Sequence, residues 1–343
     1  MSLGMILAEL KEALLRHPRV TLGVRPTPLH AAPRFSSSVG AEVWLKRDDL
    51  TGIATGGNKV RKLEFLLAEA EAAEADTLIS VGAAQSNHAR TVAAVAAMRG
   101  LDCHLVLGGE RPPAPTGSLV ADLLLDARLH FAGSDDWRLL EARADELARD
   151  LRRQERSPFV IPLGGSTPVG ALGFVAAFVE LQEQCAAIGL EPGCIVHATS
   201  SGGTQAGLEL ARQLLGQPAP RICGVAVAKT TRELKSEVTE IMKGTAQALG
   251  AEPGVEPPRL LDGFVGPGYA VPTDESLEAI SLLARTEGIL TDPVYTGKAL
   301  QAVVELGADG LGPGPVVFWH TGGLPALFSD EQGLTSWSRW PEA

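Results

Sequence analysis

The chain has 343 residues, 45% of them hydrophobic and 21% charged, which suits two ordinary domains or one large one with a substantial core. A formal charge of −11 argues against nucleic acid and anionic membrane surfaces as partners, so an anionic ligand must be held by local helix ends and a few basic groups. The four cysteines (Cys103, Cys185, Cys194, Cys223) form no C-x-x-C pair, the seven histidines have no metal-ligand spacing, no apolar run approaches the ~18 residues of a membrane span, and no signal-peptide pattern is present; a cytoplasmic enzyme without a metal is expected.

In chain order, the first expected element is a short amphipathic helix over Leu7–Leu15, ended by His17-Pro18. Thr27-Pro28-Leu29 opens an extended segment, and residues 42–47 read as a strand, with Val43 and Leu45 alternating against Trp44 and Lys46. Lys46-Arg47-Asp48-Asp49 reads as solvated or mutually paired charges leading into a glycine-bearing loop. The next stretch, Gly56-Gly57-Asn58-Lys59-Val60-Arg61, is where the chemistry begins. Its glycines let a backbone or ligand approach closely, and Asn58 reads as an N-cap. Val60, Leu63, Leu66 and Leu67 follow at helical spacing, with Glu64 and Glu69 on the opposite face. Lys59 then lies in the first helical turn, where the helix dipole and partial desolvation disfavour a positive charge. A lysine kept neutral there can form a Schiff base with an aldehyde. A solvated first-turn lysine is the other reading.

A regular alternation follows: strand 77–81, helix 88–99, strand 103–107, a proline-rich loop, helix 118–125, a short strand at His130-Phe131, helix 137–156 with a solvated charged face, and strand 159–162. Gly164-Gly165-Ser166-Thr167-Pro168 breaks this pattern and marks the expected crossing between domains, a larger one formed by 1–58 with 165–343 and a smaller one over 59–164. A helix over 169–188 leads to a second series with strands at Cys194–Thr199, 222–228, 263–265 and Val316–His320, and helices at 205–215, 232–249, Asp274–Glu287 and 297–306. Apolar strands alternating with helices predict mostly parallel sheets covered on both faces, a two-domain, three-layer α/β/α fold. Three of the cysteines fall in or beside strands and read as reduced core residues.

Four stretches are candidates for one ligand site. In 197–207 a strand ends, Ser200-Ser201-Gly202-Gly203-Thr204 turns the chain, and a helix begins, delivering free amides and a positive helix end to one point. That suits a phosphate, although the stretch is neither a P-loop nor a dinucleotide fingerprint, and a plain strand-to-helix turn is the alternative. Gln85-Ser86-Asn87-His88 places Ser86 as a helix cap whose neighbouring amides can hold a carboxylate; a simple cap is the alternative, with His88 on the surface. The chain's two tyrosines, Tyr269 and Tyr295, both sit in glycine- and proline-bearing loops, a setting typical of sites. His320-Thr321-Gly322-Gly323 turns at the end of the last strand, where open α/β sheets bind ligands. A phosphate cradle, an aldehyde-seeking lysine, an aromatic ring and a carboxylate pocket together describe a pyridoxal 5′-phosphate enzyme acting on a small amino acid. A non-catalytic phosphate- or nucleotide-binding α/β protein is the rival from another class.

The motifs Gly-Gly-Asn-Lys-Val-Arg-Lys-Leu-Glu, Gln-Ser-Asn-His-Ala-Arg and Asp-Pro-Val-Tyr-Thr-Gly-Lys-Ala resemble those of the fold-type II pyridoxal-phosphate enzymes, whose fold is that of the tryptophan synthase β subunit. The branch is the one holding 1-aminocyclopropane-1-carboxylate deaminase and D-cysteine desulfhydrase, and the likeness runs from about Thr27 to Leu327. The resemblance implies that Lys59 is the Schiff-base lysine and carries the Cα proton. It makes Ser86 the carboxylate ligand and a candidate nucleophile or base, with Asn87 beside the cofactor's phenolic oxygen and His88 next to the substrate. Ser200, Ser201, Gly202, Gly203 and Thr204 would hold the phosphate, Tyr295 would stack by the pyridine ring, and Tyr269 would reach the substrate. It also implies a homodimer. Deaminases of this branch carry a glutamate where this chain has Thr296, and tend to have glutamine where it has His88. A neutral Thr296 favours β-elimination of a thiol, as in a desulfhydrase, over cyclopropane opening; a cyclopropane-acid deaminase and a cysteate sulfo-lyase remain the rivals.

Overall fold

A computed structural model describes residues 5–252 and 255–329. The elements run α1 (Leu7–Leu15), β1 (Leu29–Ala31), α2 (Pro33–Val39), β2 (Val43–Arg47), α3 (Lys59–Ala72), β3 (Thr77–Gly82), α4 (Asn87–Arg99), β4 (Asp102–Leu107), α5 (Gly117–Leu124), β5 (Arg128–Phe131), α6 (Trp137–Arg153) and β6 (Pro158–Ile161). There follow α7 (Pro168–Ile188), β7 (Cys194–Thr199), α8 (Gly203–Leu214), β8 (Arg221–Ala226), α9 (Thr231–Ala248), β9 (Leu260–Leu261), α10 (Asp274–Glu287), α11 (Thr296–Leu311), β10 (Val316–His320) and α12 (Leu324–Leu327).

The strands form two sheets. One has six strands in the order β1-β2-β10-β7-β8-β9, parallel except for the edge strand β1, and the other has four parallel strands in the order β5-β4-β3-β6. The inner strands β3, β4, β7, β8 and β10 are buried almost throughout, which is why most of them read as continuous apolar runs. On the larger sheet Ile195, Val317 and Trp319 pack with α7 and α8, while Val196, Phe318 and Val225 pack with α10 and α11. On the smaller sheet Leu78 and Leu105 face α3 and α4, and Ile79, Val81 and Val106 face α6. The four cysteines are free and buried, as expected of core residues.

Several expectations are corrected. The strand placed at 263–265 lies instead at Leu260–Leu261: β9 pairs with β8 only through Gly224↔Leu260 and Val225↔Leu261, and Gly263 at φ 92° turns the chain out of the sheet. The extended segment opened at Thr27 pairs with β2 as β1, and α2 is an addition to the expected elements. Asn58 is not an N-cap by side chain; it is itself helical, and its Nδ2 donates to Thr204 Oγ1 at 3.0 Å. Glu64 is not on a solvated face but is buried against Arg19 (2.6 Å) and Arg25 (3.1 Å). Finally, α7 is long and apolar enough by length and composition to cross a membrane, contrary to the expectation of no such run; it is a core helix packed between α3 and α8, and it carries Glu180 in its middle.

The motif Lys46-Arg47-Asp48-Asp49 divides in two. Arg47 pairs with Asp49 at 2.7 Å, as expected, but Lys46 and Asp48 are fully buried. Arg61 grips both oxygens of Asp48 at 2.8 Å and reaches Glu180 at 2.9 Å, while Lys46 donates to Glu180 at 2.5 Å and to the Thr27 carbonyl at 2.8 Å. This network ties β2, α3 and α7 together beneath Lys59. The backbones of α3 and α7 also touch: a Cβ on Gly173 would stand 2.2 Å from the Arg61 carbonyl oxygen, so only glycine fits there.

Candidate active site

The loops leaving the C-terminal ends of β3, β6, β7, β8 and β10 converge on one cleft between the two sheets, where open parallel sheets present ligand sites. The cleft encloses about 860 Å³ of empty space, its open mouth included. Lys59, Ser86, Asn87, His88, Ser200, Ser201, Gly202, Thr204, Tyr269 and Tyr295 all line it. Gly203 and Thr296 do not, although the sequence points both of them at the ligand.

Lys59 opens α3 and points into this cleft. Burial lowers its amine to about pKa 8, an effect partly offset by a hydrogen bond with Lys62. One turn further along the same face, Lys62 is fully buried and donates to the Gly164 carbonyl at 3.1 Å and Ser166 Oγ at 2.9 Å. Burial and the neighbouring Lys59 push its ammonium well below the ordinary value.

The turn after β7 supplies the anion cradle. Gly202 adopts φ 83° just before α8, and a Cβ there would press on Val238 Cγ2 at 2.9 Å. Ser166 accepts from Lys62 and from the Gly203 amide (3.2 Å), and donates to Ser201 Oγ at 2.8 Å. The first amides of α8 have no partner within the helix and face the same point as Lys62 and Ser201. Thr199 Oγ1 is buried in the cleft wall with no hydrogen-bond partner among the described residues. These features fit a phosphorylated ligand that brings its own acceptors. His88 is a buried neutral imidazole rather than a surface residue, its charge suppressed by burial and by Lys59 and Lys62.

Ser86 caps α4, its Oγ accepting from the Ala89 amide at 3.1 Å, which leaves the hydroxyl proton free to donate into the cleft. Opposite, the hydroxyls of Tyr269 and Tyr295 share a short hydrogen bond, their rings 6.0 Å apart. Burial raises both phenols, Tyr269 to about 12, so both stay protonated at neutral pH. The Tyr295 turn is held by Asp292, whose Oδ1 accepts from the amides of Val294 (2.9 Å) and Tyr295 (2.7 Å) and whose Oδ2 accepts from the Thr296 amide and hydroxyl. Thr296 therefore faces Asp292 and not the cleft.

Sequence reasoning does not single out Lys62, Ser166, Trp137 or Lys229. Lys62 carries a signal, since it stands three residues after Lys59 on one helical face. Trp137, which by sequence belongs to a helix with a solvated face, lines the cleft and meets the Tyr269 ring edge-on at 6.1 Å. Among the described residues no cluster of three or more metal-ligating side chains is present.

A buried amine facing an anion cradle at the carboxyl ends of parallel strands defines a cofactor-dependent enzyme site. The match to known families agrees: residues 20–322 match the pyridoxal-phosphate dependent enzyme family, and the chain belongs to it. It is similar to a crystal structure described as an ACC deaminase homologue, at 38% identity and a TM-score of 0.90, over 96% of this chain and 98% of that one. The fold is shared more distantly with a threonine deaminase from T.th. (21% identity, TM-score 0.62, 93% of this chain and 98% of that one) and with serine racemase of Dictyostelium discoideum (18%, 0.64, 93% and 98%). The protein is a pyridoxal 5′-phosphate enzyme of fold type II.

Proposed function

We propose that the protein is a lyase that eliminates the β-thiol of cysteine, in the manner of a D-cysteine desulfhydrase, giving pyruvate, ammonia and hydrogen sulfide. One observation carries this reading: among the described residues that line the cleft there is no aspartate or glutamate. When bound, pyridoxal phosphate supplies a sink for the electron pair released at Cα, and the sink is deepest when a carboxylate keeps its ring nitrogen protonated. Thr296 provides no such charge, since its hydroxyl is bonded to Asp292. A shallower sink suffices where Cβ bears a good leaving group such as a thiol, and is poorly suited to opening a cyclopropane.

In this reading Lys59 would hold the cofactor through its aldehyde and would accept the Cα proton of the substrate; its lowered pKa suits both tasks. Ser86 and the first amides of α4 bind the substrate carboxylate, and Asn87 holds the cofactor's phenolic oxygen. Lys62, Ser201, Gly202, Gly203 and Thr204 hold the phosphate. Tyr295 stacks by the ring, and Tyr269 reaches the substrate side chain. Lys229 at the rim is paired with Glu237 at 2.7 Å. The reading includes a small amino-acid substrate, a homodimer and a cytoplasmic location; light scattering on the purified protein checks the dimer.

The similarity to a structure described as an ACC deaminase homologue favours the second reading, deamination of the cyclopropane acid. Release of pyruvate, sulfide and 2-oxobutyrate from D-cysteine, L-cysteine, cysteate and the cyclopropane acid separates the two. Pyruvate and sulfide from D-cysteine should dominate; dominant 2-oxobutyrate from the cyclopropane acid overturns the desulfhydrase reading.

A further inference from the structure

Arg90 is fully buried on α4, one turn after Asn87, yet it makes no ion pair among the described residues. Its Nη1 donates to Asn87 Oδ1 at 2.8 Å and to Ser118 Oγ at 2.9 Å, and its Nε donates to the Ala54 carbonyl at 2.9 Å. Asp122 faces it from α5 without a hydrogen bond to it. A buried cation that hydrogen-bonds only to neutral acceptors, with Asp122 and Asp292 acting on it only through space and its Nη2 left without a partner among the described residues, is costly, so a role beyond stability is the natural explanation for it. We propose that Arg90 is a positioning residue that fixes the Asn87 amide with its oxygen inward and its NH2 group turned into the cleft, and that couples this amide to the loop delivering Lys59.

Both parts follow from donor chemistry. A guanidinium accepts nothing, so the Asn87 atom it meets must be the oxygen, and the amide's orientation is thereby set. Asn87 lines the cleft, and among the described residues its Nδ2 makes no hydrogen bond, so two N–H donors remain for an acceptor on the ligand. The third bond ends on Ala54. Ala54 and its neighbour Thr55 have φ 42° and 72°, a region that residues with side chains rarely adopt, and they stand only a few residues before Lys59. The Arg90–Ala54 bond helps hold that strained segment and with it the entry of the chain into α3. Ser118, the remaining acceptor, is itself locked by donating its amide to Gln85 Oε1 at 2.8 Å, which ties the substrate loop to α5.

The inference rests on the proposed role of Asn87 toward the cofactor but not on the choice of substrate, so the readouts are taken with pyridoxal phosphate alone. Apoprotein of the wild type, Arg90→Lys, Arg90→Met and Asn87→Ala is titrated with the cofactor, following the visible absorption maximum and the dissociation constant, with circular dichroism and thermal melting as a check on folding. Arg90→Lys keeps the charge but cannot meet all three acceptors. It should bind cofactor at least about tenfold more weakly, the size of one lost hydrogen bond to a charged or strongly polar group, with a displaced absorption maximum. The double variant Arg90→Lys/Asn87→Ala should bind more weakly than Asn87→Ala by less than the loss Arg90→Lys causes alone, because part of that loss acts through the Asn87 amide and only the rest through Ala54. If either Arg90 variant folds and shows the wild-type maximum and affinity, or if the double variant is worse by the full sum of the single losses, Arg90 is only a structural tie and the proposal fails. Sulfide release plays no part in this outcome, so a wrong substrate assignment leaves it intact.

Discussion

Lys298 reaches from the first turn of α11 to the residue before Tyr269: its Nζ donates to the Gly268 carbonyl at 3.0 Å and to the Val265 carbonyl at 2.6 Å. The amine is buried, which lowers it to about pKa 8, and its bonds hold the Tyr269 loop against the helix that begins beside Tyr295. Lys298→Met keeps the length of the side chain and removes both bonds. We expect kcat/KM to fall at least about tenfold with helix content unchanged, since a loop displaced by about 1 Å is costly to catalysis. In a Tyr269→Phe background the same change should cost little more, and steady-state kinetics on the four proteins decides this.

Lys59 should capture the cofactor with an unusual pH dependence. A free lysine near 10.5 is neutral in roughly one molecule in three thousand at pH 7, whereas one near pKa 8 is neutral in about a tenth. Only the neutral amine attacks the aldehyde, so the association rate should rise with pH and level off above about pH 8 rather than climbing toward 10.5. Stopped-flow absorbance on apoprotein tests this. Lys59→Ala should remain unlabelled by cofactor and borohydride.

The buried network beneath Lys59 should make the protein sensitive to acid. Burial alone would raise the Glu180 carboxyl, but the hydrogen bonds and charges of Arg61 and Lys46 overcome it and hold it at about 2, against 4.5 for a free glutamate. A carboxyl depressed in the folded state stabilises fully above the unfolded value, and that contribution is lost as pH falls from 4.5 toward 2. The contribution is on the order of 3 kcal/mol. Glu180→Gln should flatten the fall in melting temperature across that window. Arg61→Met, which strands two carboxylates, should destabilise by about 3–5 kcal/mol at neutral pH.

Thr296→Glu should change the balance of products. The new carboxylate would stand beside Asp292, where like charges repel, so it is driven away from that pocket. We expect the ratio of 2-oxobutyrate from the cyclopropane acid to sulfide from D-cysteine to rise, with some loss of thermal stability from the broken Thr296–Asp292 bonds. An unchanged ratio in a folded variant counts against the role given to this position.

Much of this architecture is legible in the sequence where a segment carries its own signal. Cys194–Thr199, Val316–His320 and Asp274–Glu287 are legible to the residue, because strands buried on both faces and a capped amphipathic helix announce their ends. β1 shows only as an extended segment, because a three-residue edge strand has no period, and α2 escapes because a seven-residue helix rich in serine has no apolar stripe. Within the site, the residues on strand-end loops stand out in the sequence. Those whose importance comes from a distant partner do not: Asn58 reads as a cap until Thr204 is placed beside it, and Asp48 reads as solvated until Arg61 and Glu180 enclose it. Local pattern reports what a residue does for its own segment and says little about contacts more than a hundred positions away.

The contact between Gly173 and the Arg61 carbonyl bears on how the amine of Lys59 is aimed. Lys59 stands only two residues from that carbonyl, on the same turn of α3, so the thickness of a single hydrogen atom on α7 acts as the shim that sets its height. Catalytic alignment tolerates errors of only about 0.5 Å. The tuning of this enzyme therefore depends in part on a residue with no side chain, more than a hundred positions from Lys59, that never meets a substrate.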